Sequence, residues 1–163
     1  MARLLTIGVY GYDRDSFLAA LGDAGVTLLI DVRQRRGVRG AEYAWANSKR
    51  LQAALADAGI AYEHRPELAP TTELRQLQYA DDEQRGVGKR NREELSAGFK
   101  RAYEAEILAA ADLGAVRDLL PGEGAAALLC VERDPEACHR SLIAERLAEA
   151  SDGVEVVHLR PAR

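Results

Sequence analysis

Two short apolar runs on either side of a helical pattern constrain this chain more than any other feature. Residues 4–10, Leu-Leu-Thr-Ile-Gly-Val-Tyr, are aliphatic and β-branched and end at Gly11; residues 26–30, Val-Thr-Leu-Leu-Ile, repeat that character. Between them Asp13 is placed to cap a helix in which Phe17, Leu18 and Leu21 recur at helical spacing, and Gly25 closes it. Strand, helix and strand within about 30 residues make a right-handed βαβ unit. Runs that are apolar on both faces belong to a parallel sheet covered on both sides.

The rest of the chain extends the same alternation. Ser48 caps a helix carrying Leu51, Ala54, Leu55 and Ala58, Gly59 stops it, and residues 60–64 form a third strand ended by Pro66. Residues 72–79 are helical until the basic, glycine-punctuated stretch 85–90, which reads as an excursion or lid. Asn91 with Glu94 three residues later resembles a capping box, opening a long helix striped by Phe99, Tyr103 and Ile107 that ends near Leu113 and Gly114. A short helix through Val116, Leu119 and Leu120 leads to Pro121-Gly122-Glu123-Gly124 and the apolar strand 125–130. Asp134 and Pro135 then open a helix with Leu142, Ile143 and Leu147 on its sheet side, and Gly153 introduces a last strand over 154–159. The expected fold is one α/β domain over residues 1–163, a three-layer α/β/α sandwich around a mainly parallel sheet of about five strands.

Composition narrows the function classes. No charged-then-apolar leader and no apolar run near 18 residues are present, so the expected location is the cytoplasm, with no membrane partner. Two cysteines are not a disulfide scaffold, and thiols are expected. A net charge of −4 argues against a wholly basic nucleic-acid platform; any anion site must be local.

In a sandwich of this kind ligands sit beyond the carboxyl ends of the strands. Those ends supply residues 8–12, 31–36, 64–67, 130–140 and 158. Both cysteines, Cys130 and Cys138, lie in one of these segments, with His139 and Arg140 beside the second. Cys138, near a helix start and two potential cations, is the expected thiolate; Cys130, at the end of an apolar strand, is expected to be inert. The plain structural alternative makes one a small buried hydrophobe and the other a helix-packing residue. His139 suits proton transfer, Glu132 and Asp31 are acids at strand ends, and either acid is equally suited to pair with a nearby arginine. His64 is a further strand-end candidate, as is His158. From Asp31 to Arg50 six basic residues face two acidic ones, which reads either as a solvated loop or as a phosphate clamp in which Arg33 and Arg36 act with Arg140. Cys130, Cys138 and His139 are metal-ligand types, but the seven-residue gap misses zinc spacings and no metal is assigned. Gly86 and Gly88 are not followed by a lysine-serine or lysine-threonine pair, so the motifs name no cofactor.

Thr6-Ile7-Gly8, Leu29-Ile30-Asp31-Val32-Arg33, the run Gly59 to His64 with Glu67-Leu68 after it, and Leu129-Cys130-Val131-Glu132 followed by Cys138-His139-Arg140 together resemble the domain of unknown function 488 family. The resemblance covers nearly the whole chain and implies a single α/β domain. Val9 stands where that pattern carries a histidine, which would pass a first-strand role to Tyr10 or Tyr12. Leu29 to Arg33 and the strand-Cys130-loop-helix element are also similar to rhodanese-type sulfurtransferases. In that family a compact loop wraps its amides around the cysteine; here residues 131–137 contain no glycine to let them curl inward.

The leading expectation is an enzyme acting on a phosphate-bearing substrate, a nucleotide or a nucleic-acid end or base. Arg33, Arg36 and Arg140 would hold phosphate, with Glu132, His139 and Cys138 nearest the chemistry and Asp31 as a further acid. The alternatives are a non-catalytic nucleotide- or nucleic-acid-binding module using the same arginines, and rhodanese-like sulfur transfer at Cys130.

Overall fold

The structure, a computed structural model, describes residues 2–88 and 91–162. Among them, five strands pair in parallel: β1 (Ala2–Gly8), β2 (Val26–Asp31), β3 (Ala61–His64), β4 (Ala125–Cys130) and β5 (Val154–His158). Their spatial order is β3-β2-β4-β1-β5. The two runs of the first βαβ unit are therefore parallel, as expected, but flank β4 instead of pairing with each other. The chain winds outward through β2 and β3, returns to insert β4, and crosses to β5. β4 is buried along its whole length, while the edge strands β3 and β5 are only partly covered.

Helices α1 (Arg14–Asp23) and α2 (Ser48–Asp57) cover one face, where Phe17, Leu21, Leu51 and Leu55 pack on Leu5, Ile7 and Leu29. The other face carries α3 (Thr72–Arg85), α4 (Ala97–Tyr103), α5 (Leu113–Asp118) and α6 (His139–Ala150), whose Leu74, Phe99, Tyr103, Val116 and Ile143 share a core with Leu4, Ile30 and Leu128. This is the expected α/β architecture. No helix among the described residues is long and apolar enough to cross a membrane.

Several boundaries differ from the sequence expectation, each for a local reason. Asp13 caps α1 in a reciprocal box with Ser16. Ser48, in contrast, is the first residue of α2; Asn47 takes the cap position and spends its side-chain oxygen on the Val38 amide. α3 runs on to Arg85, where Gly86 adopts φ 70° as a left-handed stop. The basic stretch 85–90 is thus partly helix end; its Lys89 and Arg90 lie outside the described residues. The long helix expected from Asn91 begins at Ala97, capped by Ser96, which accepts from the Phe99 amide. After Tyr103 a π turn, Glu104–Leu108, adds one residue, so the buried position moves from Ile107 to Leu108. Asp112 caps the separate α5. A short 3₁₀ turn over Ala41–Ala46 carries Tyr43 and Trp45 onto the α1–α2 side. Finally, Pro135 opens a 3₁₀ turn, Pro135–Ala137, and α6 starts at His139 with Cys138 in an extended cap conformation.

β1 stops at Gly8 because the chain beyond β4 crosses it there. Val9 and Tyr10 both donate to the Val131 carbonyl, and a Cβ on Gly8 would stand 1.8 Å from the Glu132 carbonyl oxygen. No side chain fits. Gly22, exposed near the end of α1, has nothing within 4 Å of the same hypothetical atom. Gly8→Ala is expected to destabilise the fold by about 3 kcal/mol or more, as severe overpacking does. Gly22→Ala is expected to stabilise it by about 0.5–1 kcal/mol. Urea midpoints of the two variants should move in opposite directions; a Gly8→Ala protein as stable as the parent would contradict the crossing.

Candidate functional site

Strand parity decides which side chains meet. Along β4, Ala126, Leu128 and Cys130 enter the α3–α6 layer, while Ala125, Ala127 and Leu129 enter the α1–α2 layer. At the end of β2 and just past it, Ile30 and Val32 share the face of Cys130, so Asp31 points the other way, toward Tyr62 and the Ala46 carbonyl that its partner Arg33 reaches. Gly8, Asp31, His64, Cys130 and His158 do lie at one edge of the sheet, as the parallel registers require. Only part of that set converges.

The convergent part is a buried group of Cys130, Cys138 and His139. Nδ1 of His139 lies 3.7 Å from Sγ of Cys130 and 3.8 Å from Sγ of Cys138. Nε2 is 3.0 Å from the Val32 carbonyl oxygen, which only accepts, so Nε2 carries a proton and Nδ1 turns its lone pair toward the sulfurs in the neutral ring. Tyr103 packs edge-on against the imidazole at 5.7 Å. All three donor atoms lie within 4.8 Å of one another, a set able to hold a soft metal cation that the chain spacing had not suggested.

The two thiols differ. Burial opposes ionisation of both. At Cys138, hydrogen bonding from Cys130, the neighbouring His139 and the Arg140 guanidinium outweigh burial and hold its thiol well below the usual range. At Cys130, burial, Cys138 and the Glu132 carboxylate push the thiol well up. Burial also disfavours a charged His139, but Cys138 and the Val32 carbonyl raise its affinity for a proton. Cys138 caps α6, at the positive end of its dipole.

Glu132 sits beside this group: Oε2 is 3.7 Å from Sγ of Cys130, and Oε1 accepts from Nη2 of Arg92 at 3.0 Å. Arg92 is itself buried, donating to Asp82 at 2.7 Å and to the Ala137 carbonyl. Gln78 bonds Asp82 and receives the Ser96 amide, so α3 and residues 91–96 are tied to the turn after β4. Sequence reasoning missed Arg92, Asp82 and Gln78. Their trace was the spacing of Leu74, Gln78 and Asp82, three buried positions on one face of α3, two of them polar.

The arginines singled out from sequence have internal partners. Arg33 gives Nε and Nη2 to Asp31 at 2.9 and 2.8 Å and Nη1 to the Ala46 carbonyl, and Tyr62 donates to the same carboxylate at 2.6 Å. Arg140 donates to the carbonyls of Glu132 and Arg133 at 2.6 and 3.1 Å. Arg36 reaches the Tyr62 hydroxyl at 3.4 Å, outside the cleft. His64 donates to the Arg33 carbonyl and also stays outside. His158 bonds Thr6.

The Cys130–Cys138–His139 group forms part of the wall of a cleft of about 620 Å³ beyond the strand ends, at the point where the winding reverses. Among the described residues five arginines line it, Arg33, Arg35, Arg39, Arg75 and Arg92, against one carboxylate, Glu132. Tyr10 and Tyr79 add aromatic surface, whereas Tyr12 is buried in the α1–α2 core. Asp31 is absent from the lining.

Comparison with known families agrees with the pattern read from the residues. Residues 13–147 match the model of the Domain of unknown function DUF488, and the chain belongs to that family. No curated protein and no solved structure matches it, and the rhodanese similarity gains no support.

The Asp31–Arg33 pair is fully buried and doubly hydrogen-bonded, so removing one partner strands a charge. Asp31→Asn is expected to cost about 3–5 kcal/mol in denaturant unfolding. A loss below about 1 kcal/mol would remove the structural role and return Asp31 to the list of reactive acids.

Proposed function

We propose that this family member is a cytoplasmic enzyme acting on a phosphate-bearing substrate, a nucleotide or a nucleic-acid end or base. The observation that carries the reading is the cleft's charge arrangement: arginines along its wall, among the described residues a single carboxylate already paired with Arg92, and Cys138 and His139 in the same wall, in a chain of net charge −4. Such a cleft selects an anion and draws it toward Cys138.

Roles shift from those read off the sequence. Arg33 and Arg140 are buried with their donors on Asp31 and on backbone carbonyls, so they shape the site, and phosphate falls to the solvent-facing Arg35 and Arg39 and to half-exposed Arg75, which also bonds Gln34, at the mouth. Tyr79 is exposed and offers a ring face on which a base can stack, while Tyr10 is half-buried against Tyr43. Cys138, His139 and Glu132 are the groups nearest the chemistry. Two buried free thiols suit a reducing compartment.

The test separates binding from turnover. Nucleoside mono- and diphosphates and short oligonucleotides are titrated by calorimetry, and products are followed by mass spectrometry. Arg35→Ala and Arg75→Ala should each weaken binding by about 1.5–3 kcal/mol, roughly 10- to 150-fold, with a marked loss of affinity in high salt. Cys138→Ser should keep affinity and lose turnover. Binding without any turnover would leave a non-catalytic module; affinity indifferent to both arginines would reject the cleft as the phosphate site.

A further inference from the structure

The sulfur-imidazole group has the geometry of a metal centre. In tetrahedral zinc sites, bonds of about 2.3 Å to sulfur and 2.0–2.1 Å to nitrogen place ligand atoms about 3.6 Å apart for S···N and about 3.8 Å for S···S. Here both S···N separations, 3.7 and 3.8 Å, lie within a few tenths of an ångström of that figure, and the whole set falls within 4.8 Å. The two sulfurs, no more than 4.8 Å apart, need to close by at most about 1 Å for the three donors to share one ion.

Their surroundings are those of ligands. Nε2 of His139 donates to the Val32 carbonyl, which fixes the tautomer and leaves Nδ1 as the coordinating atom. Cys130 ends a fully buried central strand, and Cys138 caps α6 with its carbonyl bound by the Ser141 hydroxyl and its amide bound to the Pro135 carbonyl. Thiolate and imidazole together select zinc-like cations over magnesium or calcium. Three protein ligands leave one position vacant, and all three residues line the cleft. Glu132 stands next to the set, 3.7 Å from one sulfur, but outside it, held by Arg92.

We infer that Cys130, Cys138 and His139 bind a zinc-class divalent cation, with its fourth coordination position open to the cleft for water or a substrate oxygen. The inference stands on the donor geometry and is independent of the nucleotide reading above.

The experiment uses the full chain, dialysed against a chelator under reducing conditions and titrated with cobalt(II) as the probe. One equivalent should produce the intense visible bands and sulfur-to-cobalt charge-transfer absorption of a tetrahedral thiolate site, and one equivalent of zinc should abolish them. With zinc bound, iodoacetamide should label neither cysteine; after chelation it should label Cys138. Cys130→Ser and Cys138→Ser should weaken metal binding by more than the 10- to 100-fold typical of a supporting residue. Should either variant fail to fold by circular dichroism, the wild-type titration and labelling decide alone. Wild-type protein that gives only the pale spectrum of hexa-aqua cobalt, or a variant with both cysteines replaced that keeps the tetrahedral bands, would overturn the inference. Neither readout involves a nucleotide, so failure here leaves the proposed function untouched, and failure of nucleotide binding leaves the metal site untouched.

Discussion

The turn after β4 is held in place by one guanidinium. Arg140, fully buried in the first turn of α6, reaches back to the carbonyls of Glu132 and Arg133 and draws that segment across Gly8. With the turn fixed there, Cys130 ends its strand facing His139, Glu132 lies beside it, and Cys138 closes the return. The hydrogen bonds are charge-assisted, which makes each roughly twice as strong as a neutral one. The missing Cβ of Gly8 is the steric half of the same contact.

That guanidinium carries its charge without a carboxylate within ion-pair distance among the described residues, and its Nε is buried without an acceptor. An uncompensated buried cation is costly unless a nearby group takes up the opposite charge. Its field favours an ionised Cys138 and helps hold His158 below its usual proton affinity, after burial itself. Asp31 and Arg33 form the contrasting case: a closed pair with the carboxylate on the other face of the sheet, neutral overall and joined by Tyr62 and the Ala46 carbonyl. Two buried arginines, one just past β2 and one in the first turn of α6, thus do different work, one neutralising an acid, the other shaping a turn and leaving its charge for a thiol.

Much of this was legible in the sequence. The buried run 125–130, the capped helix after Asp13 and the glycine stops at residues 25 and 59 follow from local chemistry and gave the parallel α/β fold. The clustering of Cys130, Cys138 and His139 pointed to the right turn. What sequence order could not convey was parity and pairing: counting alternate residues along β2 and β4 sends Asp31 and Cys130 to opposite layers only once both strands are known to share a sheet and a register. Arg92 was hidden for another reason. Asn91 and Glu94 imitate a helix start, whereas the segment forms no α-helix before Ala97 and Arg92 reaches Asp82 and Glu132 instead, a requirement set by residues 10 and 40 positions away. The π turn after Tyr103 likewise shifts an apolar stripe by one residue, which a strict 3.6-residue period misplaces.

Arg92 ties together parts of the molecule that could otherwise fluctuate separately. It joins α3, residues 91–96 and the turn after β4 through two buried ion pairs and a backbone carbonyl. Swinging this wall away from the cleft would expose Asp82 and Glu132 together, so small-amplitude breathing is suppressed and opening becomes an all-or-none event of the whole wall. The mouth combines exposed Arg35 and Arg39 of the 31–39 loop with half-buried Arg75 of α3, which bonds Gln34 of that loop. Through Arg75 the entrance is linked to the same helix that Arg92 locks to the turn after β4, so mouth and chamber share one support.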